Sequence, residues 1–154
     1  MDGYMRSLIR DRPKYVKDGG IACYARESFL RKRPEFRLTL FLMTHRYLFG
    51  LVYGGLLSDY FHRMPLGSGV FVAPIIATHH LSTDVTKPGD IDLLVIPYEQ
   101  DELVLDKILA IEIKAVQATF VNQGKSPGSM GFTQANGLIR MGFPYVAVVH
   151  LIVS

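Results

Sequence analysis

Pro88-Gly89-Asp90-Ile91-Asp92-Leu93-Leu94-Val95-Ile96 opens an apolar run with two acids, and Ile108-Leu109-Ala110-Ile111-Glu112-Ile113-Lys114-Ala115 sets two charges inside another. Both runs are short, aliphatic and bounded by turn formers, so strands are predicted over residues 91–98 and 107–116. A charge in such a strand is costly unless it is paired or holds a metal. Residues two apart on a strand share a face, so Glu112 and Lys114 project together. The midpoint between Asp92 and Glu112 falls at Glu102, inside the expected turn Glu99-Gln100-Asp101-Glu102-Leu103. A hairpin folded there without a bulge sets Asp92 opposite Glu112, with Cβ atoms ~5 Å apart. Asp92, Glu112 and Lys114 then converge on one spot.

Working outward, a long helix is predicted from Arg37 to His62, closed by Pro65 and Gly67. A β-branched strand is expected over residues 70–78, where Pro74 signals a bulge or an edge. On the other side, residues 122–131 read as a Gly/Pro/Ser loop and residues 132–141 as a helix stopped by Gly142 and Pro144. The run from Tyr145 to Val153 is almost wholly apolar and is predicted to be the central, buried strand. The class is therefore α/β, a mixed four-stranded sheet flanked by helices in the order α-β-β-β-α-β. Residues 1–36 read as a basic arm with a short helix, and residues 37–154 as the core of a single domain.

Two carboxylates brought together repel unless a cation lies between them. Oxygen-only ligands suit Mg²⁺ or Mn²⁺, and a lysine beside them can orient an attacking water or balance charge at a phosphate. The hallmark of the PD-(D/E)XK nuclease superfamily is an acid opening one strand and E-x-K on the next. Asp92 and Glu112-Ile113-Lys114 resemble it, and the element order resembles the superfamily core over residues 40–154. The resemblance implies a restriction-endonuclease-like core, with Asp92, Glu112 and the Ile113 carbonyl as metal ligands and Lys114 as the catalytic lysine. It also implies a polar contribution from the following helix, for which Gln134 is the matching residue. The tyrosine found four residues further on in some exonuclease-like members is replaced by Leu138. An acid from the first helix would have to come from Glu27.

The expected activity is hydrolysis of phosphodiester bonds, in DNA rather than RNA, by an endonuclease of defence, restriction or repair. Three alternatives stay open. One is a non-catalytic nucleic-acid-binding or assembly module. Another is a structural ion pair with Lys114 between the strands. The third is a membrane-associated protein using the apolar stretch 38–57, against which His45 and Arg46 argue. Asp90 is a second acid on the Asp92 face, and His79-His80 read as ordinary loop histidines. If the site is an accessible metal site, removing Asp92 should leave the metal-free protein no less stable.

The chain has 154 residues, 49% of them hydrophobic, and a net charge of +3, which suits one well-filled domain that tolerates a polyanionic partner. Arg26, Arg31, Lys32 and Arg33 form its densest basic cluster, and Lys125 sits in the glycine-bearing loop near the site; these are the expected phosphate contacts. A single cysteine, Cys23, rules out an intrachain disulfide and reads as a packed thiol. The first residues lack the apolar core of a secretory signal, so a cytoplasmic location is expected. A homodimer or a partner subunit completing the fold is the expected assembly.

Overall fold

The computed structural model describes residues 31, 36–78, 89–117 and 131–153. Apart from Arg31 and Phe36, the arm and short helix expected over residues 1–36 lie outside them.

The elements are α1 (Phe36–Thr44), α2 (Arg46–His62), β1 (Gly69–Ala77), β2 (Asp90–Glu99), β3 (Glu102–Leu103), a 3-10 turn (Leu105–Lys107), β4 (Leu109–Gln117), α3 (Phe132–Arg140) and β5 (Tyr145–Val153). They build an α/β protein on a five-stranded mixed sheet of order β1-β2-β4-β5, with the short β3 paired to β2. The four expected strands are present, and β3 is the addition. β2 runs antiparallel to β1 and β4, whereas β4 and β5 are parallel, joined through α3.

Strand parity sorts the side chains. Leu93, Val95, Leu109, Ile111 and Ile113 pack with Leu42, Met43 and Phe49 of α1 and α2. Leu94, Ile96 and Ala110 pack on the opposite face with Leu138 of α3 and Phe143. Leu93, Leu94, Val95 and Ile96 are all 0% exposed, so β2 is covered on both faces and reads as an unbroken apolar run. Burying each of these side chains contributes about 1.5–3 kcal/mol.

Three expectations need correction. The helix predicted from Arg37 to His62 is two helices, meeting near His45 with a bend of 80°. A straight helix of that length would reach ~40 Å, past the ~30 Å of a nine-residue strand. The bend keeps Leu42, Met43 and Phe49 in one cluster on the sheet. A second distortion, at Leu57 in α2, follows Gly54-Gly55, a common place for a kink. Moreover, the stretch is buried on one side only, since Phe41, Tyr47 and Leu51 are exposed. Among the described residues no single helix is long and apolar enough to cross a membrane, although the bent pair passes by length and composition.

β5 is not central. It pairs with β4 and ends the strand order among the described residues. Its apolar run has another cause: Tyr145, Ala147, Val149 and Leu151 pack against the α1–α2 side, and Val146 against the α3 side. An all-apolar strand reports cover on both faces, not neighbours on both edges.

The hairpin reaches its expected register by a different path. The chain turns at Gln100-Asp101, with Gln100 in the left-handed region, and β3 pairs back as Glu99↔Glu102. The 3-10 turn then takes up extra length before Val95↔Leu109, so four steps along β2 face seven on the returning chain. The β2–β4 ladder runs from there to Leu93↔Ile111. On the other side of β2, the β1 ladder skips the Ile75–Asp92 rung. Ile75 there has φ +50°, immediately after Pro74, so the bulge-or-edge signal of that proline meets both an edge strand and a distortion.

Candidate active site

Extending the β2–β4 register one residue beyond Leu93↔Ile111 sets Asp92 opposite Glu112. Asp92, Glu112 and Lys114 have the parity of Leu94 and Ala110, so they belong to the face that carries α3. Two contacts tie the trio together. Asp92 Oδ2 accepts a hydrogen bond from the Ile113 N–H at 2.7 Å, so the β2 carboxylate is anchored on the β4 backbone between the other two residues. Lys114 Nζ donates to Glu112 Oε1 at 2.5 Å, an ion pair in which the Glu112 side chain is 4% exposed and that of Lys114 26%.

The burial of Glu112 explains why its partner is a lysine two residues along. A lone carboxylate in that position would lose its hydration without compensation. The ammonium supplies the charge while part of its stem stays in contact with water.

Gly131 closes this side of the site. It is the N-cap of α3 and has φ +73°. A Cβ there would lie 3.0 Å from Val148 Cγ1, 3.5 Å from Lys114 Cε and 3.6 Å from Glu112 Cγ. Glycine thus satisfies both a left-handed backbone and a close approach of the helix to the ion pair. Gly131→Ala should destabilise the protein by about 1–3 kcal/mol, through the left-handed penalty plus the crowding of Val148. A thermal melt reads this directly, and an unchanged melting temperature would contradict it.

The remaining predicted residues fare unevenly. Gln134 lies in the first turn of α3 and is exposed; no described contact brings it to the trio. Asp90 begins β2 and pairs with Ala77 across the ladder. Arg31 is exposed on a helical residue. Arg26, Glu27, Lys32, Arg33, His79, His80 and Lys125, together with Cys23, lie outside the described residues.

The sequence reading missed Gly131 as a site residue and overlooked His150. His150 interrupts the apolar run of β5 and is the register partner of Lys114. The signal was a single imidazole among aliphatic residues, but its neighbour depends on a parallel register that strand spacing does not reveal.

As donors, the Asp92 and Glu112 carboxylates and the Ile113 carbonyl are hard oxygens, a set that suits Mg²⁺ or Mn²⁺ with water completing the shell. Among the described residues no group of three His, Cys, Asp or Glu side chains is gathered for a metal. A separate cavity of about 570 Å³ lies at the other end of the strands, lined in part by Tyr60, Arg63, Glu99, Lys107 and Tyr145. The buried Tyr60 hydroxyl lies beside the Glu99 carboxylate, and burial, then that carboxylate, push its pKa up to about 12. None of the Asp92, Glu112 and Lys114 trio lines that cavity. Comparison with protein-family models, with curated proteins and with solved structures finds no match for this chain.

Proposed function

We propose that the chain is a metal-dependent nuclease with a restriction-endonuclease-like core, hydrolysing phosphodiester bonds in DNA. One observation carries the reading: an acid from β2 and a Glu-x-Lys from β4 share one sheet face and are joined there by the Asp92–Ile113 hydrogen bond and the Glu112–Lys114 ion pair. The order of helix, three long strands, helix and strand agrees with the core that such a site requires.

In this reading Asp92, Glu112 and the Ile113 carbonyl hold Mg²⁺ or Mn²⁺, which supplies Lewis acidity toward the phosphodiester. The chain's own groups do the rest. The Ile113 N–H fixes the Asp92 carboxylate before substrate arrives, so little reorganisation is needed. Lys114 Nζ donates to Glu112, and the same group can contact a phosphate oxygen or orient a water molecule for attack. Lys114 and a bound cation would draw on the same Glu112 carboxylate.

The ion pair also favours a second reading, a fold that keeps the Glu112–Lys114 bridge as a structural strut without catalysis. Incubating the purified chain with plasmid, linear duplex and single-stranded DNA separates the two. Cleavage with Mg²⁺ or Mn²⁺, stopped by EDTA and lost in Glu112→Gln, is the expected result. Absence of cleavage in all substrate and metal combinations would remove the catalytic reading.

A further inference from the structure

We propose that His150 is a substrate-binding residue of this same site, donating a hydrogen bond from its imidazole to a phosphate oxygen of bound nucleic acid. The proposal rests on the nuclease reading for its substrate class and on the sheet register for its geometry.

β4 and β5 are parallel, with Glu112↔Val148 and Lys114↔His150 as register partners. The face of these residues is settled by contact. The Val148 side chain approaches Gly131 at the position where Lys114 and Glu112 also approach it. Tyr145, Ala147, Val149 and Leu151 pack on the opposite face. His150, two residues beyond Val148, therefore projects on the side of Glu112 and Lys114. Adjacent strands lie ~4.8 Å apart, so the imidazole stands beside Lys114 as its lateral neighbour. α3 starts over Val148, and His150 lies one pleat past that helix start.

Among the aliphatic residues and tyrosine of β5, His150 alone carries an imidazole, and it is only half-buried, so a ligand from solvent can reach it. A donor beside a lysine on one face matches a phosphodiester, which offers two acceptor oxygens and a charge. Asp92 and Glu112 would hold the cation, leaving Lys114 and His150 to contact the phosphate.

The test uses the full chain with ¹³C,¹⁵N-labelled histidine, in EDTA, titrated with a short DNA duplex. The His150 ring signals are assigned by their loss in His150→Gln. They are expected to shift saturably with DNA. In parallel, His150→Ala should lower kcat/KM roughly tenfold or more, mainly through KM. His150→Gln, which keeps an N–H donor, should recover part of the loss. Ring signals indifferent to DNA, or a His150→Ala protein that binds and cuts like the parent, would overturn the proposal. If His150→Ala fails to fold, the titration of the parent still decides. A parent that does not cleave but whose His150 signals follow DNA would sink the nuclease reading and leave the His150 contact standing. Cleavage with silent His150 signals would do the reverse.

Discussion

Lys114→Met should lower the melting temperature of the metal-free protein steeply, and Mg²⁺ or Mn²⁺ should restore a large part of the loss. Glu112 is 3% exposed, and its Oε1 receives the Lys114 ammonium. Methionine keeps the stem and removes the charge, leaving a buried carboxylate alone. Breaking a buried pair in this way costs about 3–5 kcal/mol. The partial exposure of Lys114 moves the expectation to the lower end of that range. For a domain of this size each kcal/mol corresponds to roughly 2–4 °C, so the melt should fall by about 6–12 °C.

A divalent cation can take over the neutralising role of the ammonium. At a hundredfold excess over its Kd it stabilises a folded protein by about 2.7 kcal/mol. The parent should gain less from the same cation, because its lysine competes for Glu112. Melting curves of both proteins, with and without metal, make the comparison. A structural strut predicts the same fall with no metal recovery, and that outcome would remove the cation from Glu112. Lys114→Met should also fail to cleave, even where metal has restored its fold.

Asp92→Ala and Asp92→Asn should abolish cleavage alike yet differ in stability. Both remove the carboxylate proposed to hold the cation, and a loss of about a thousandfold or more is expected in each. Alanine also removes the acceptor of the Ile113 N–H, whose residue is 9% exposed. An unsatisfied buried donor costs about 1–3 kcal/mol. Asparagine retains a carbonyl oxygen in the same position and should stay within about 1 kcal/mol of the parent.

Relief of repulsion between Asp92 and Glu112 works in the opposite direction, and on sequence grounds it was expected to leave Asp92→Ala no less stable. The geometry reverses that expectation. Glu112 is already neutralised by Lys114, so little repulsion remains to relieve, and the lost hydrogen bond wins. Urea or thermal melts of the two variants decide this. An alanine variant as stable as the asparagine one would show that the Ile113 bond contributes nothing.

Strand parity and the hairpin midpoint made the trio legible from sequence, since both depend only on counting along β2 and β4. The midpoint even survived a turn built differently from the one expected, because the 3-10 turn at Leu105–Lys107 restores the register that the early turn at Gln100 shifts. What lay beyond counting was lost. Hydrophobicity alone could not distinguish the edge strand β5 from a central one, since Val149 and Val146 are covered from opposite faces in either position. Nor could helical periodicity show that the chain bends near His45, because the apolar pattern continues on both sides of the bend. Gly131 and His150 join the site through a helical crossover and a parallel register, both products of tertiary structure.

The missing rungs around Asp92 bear on how the site could respond to a ligand. β2 is the strand most tightly enclosed in the sheet, yet the ladder to β1 skips Asp92 opposite the left-handed Ile75, and the ladder to β4 stops one residue short of it. Asp92 is held there through its side chain instead, since its Oδ2 accepts from the Ile113 N–H just beyond the last rung. A ligand that draws on this carboxylate therefore draws on the β2–β4 pairing as well, and the neighbouring Leu93↔Ile111 and Ile76↔Ile91 pairs confine the effect to that point of the sheet.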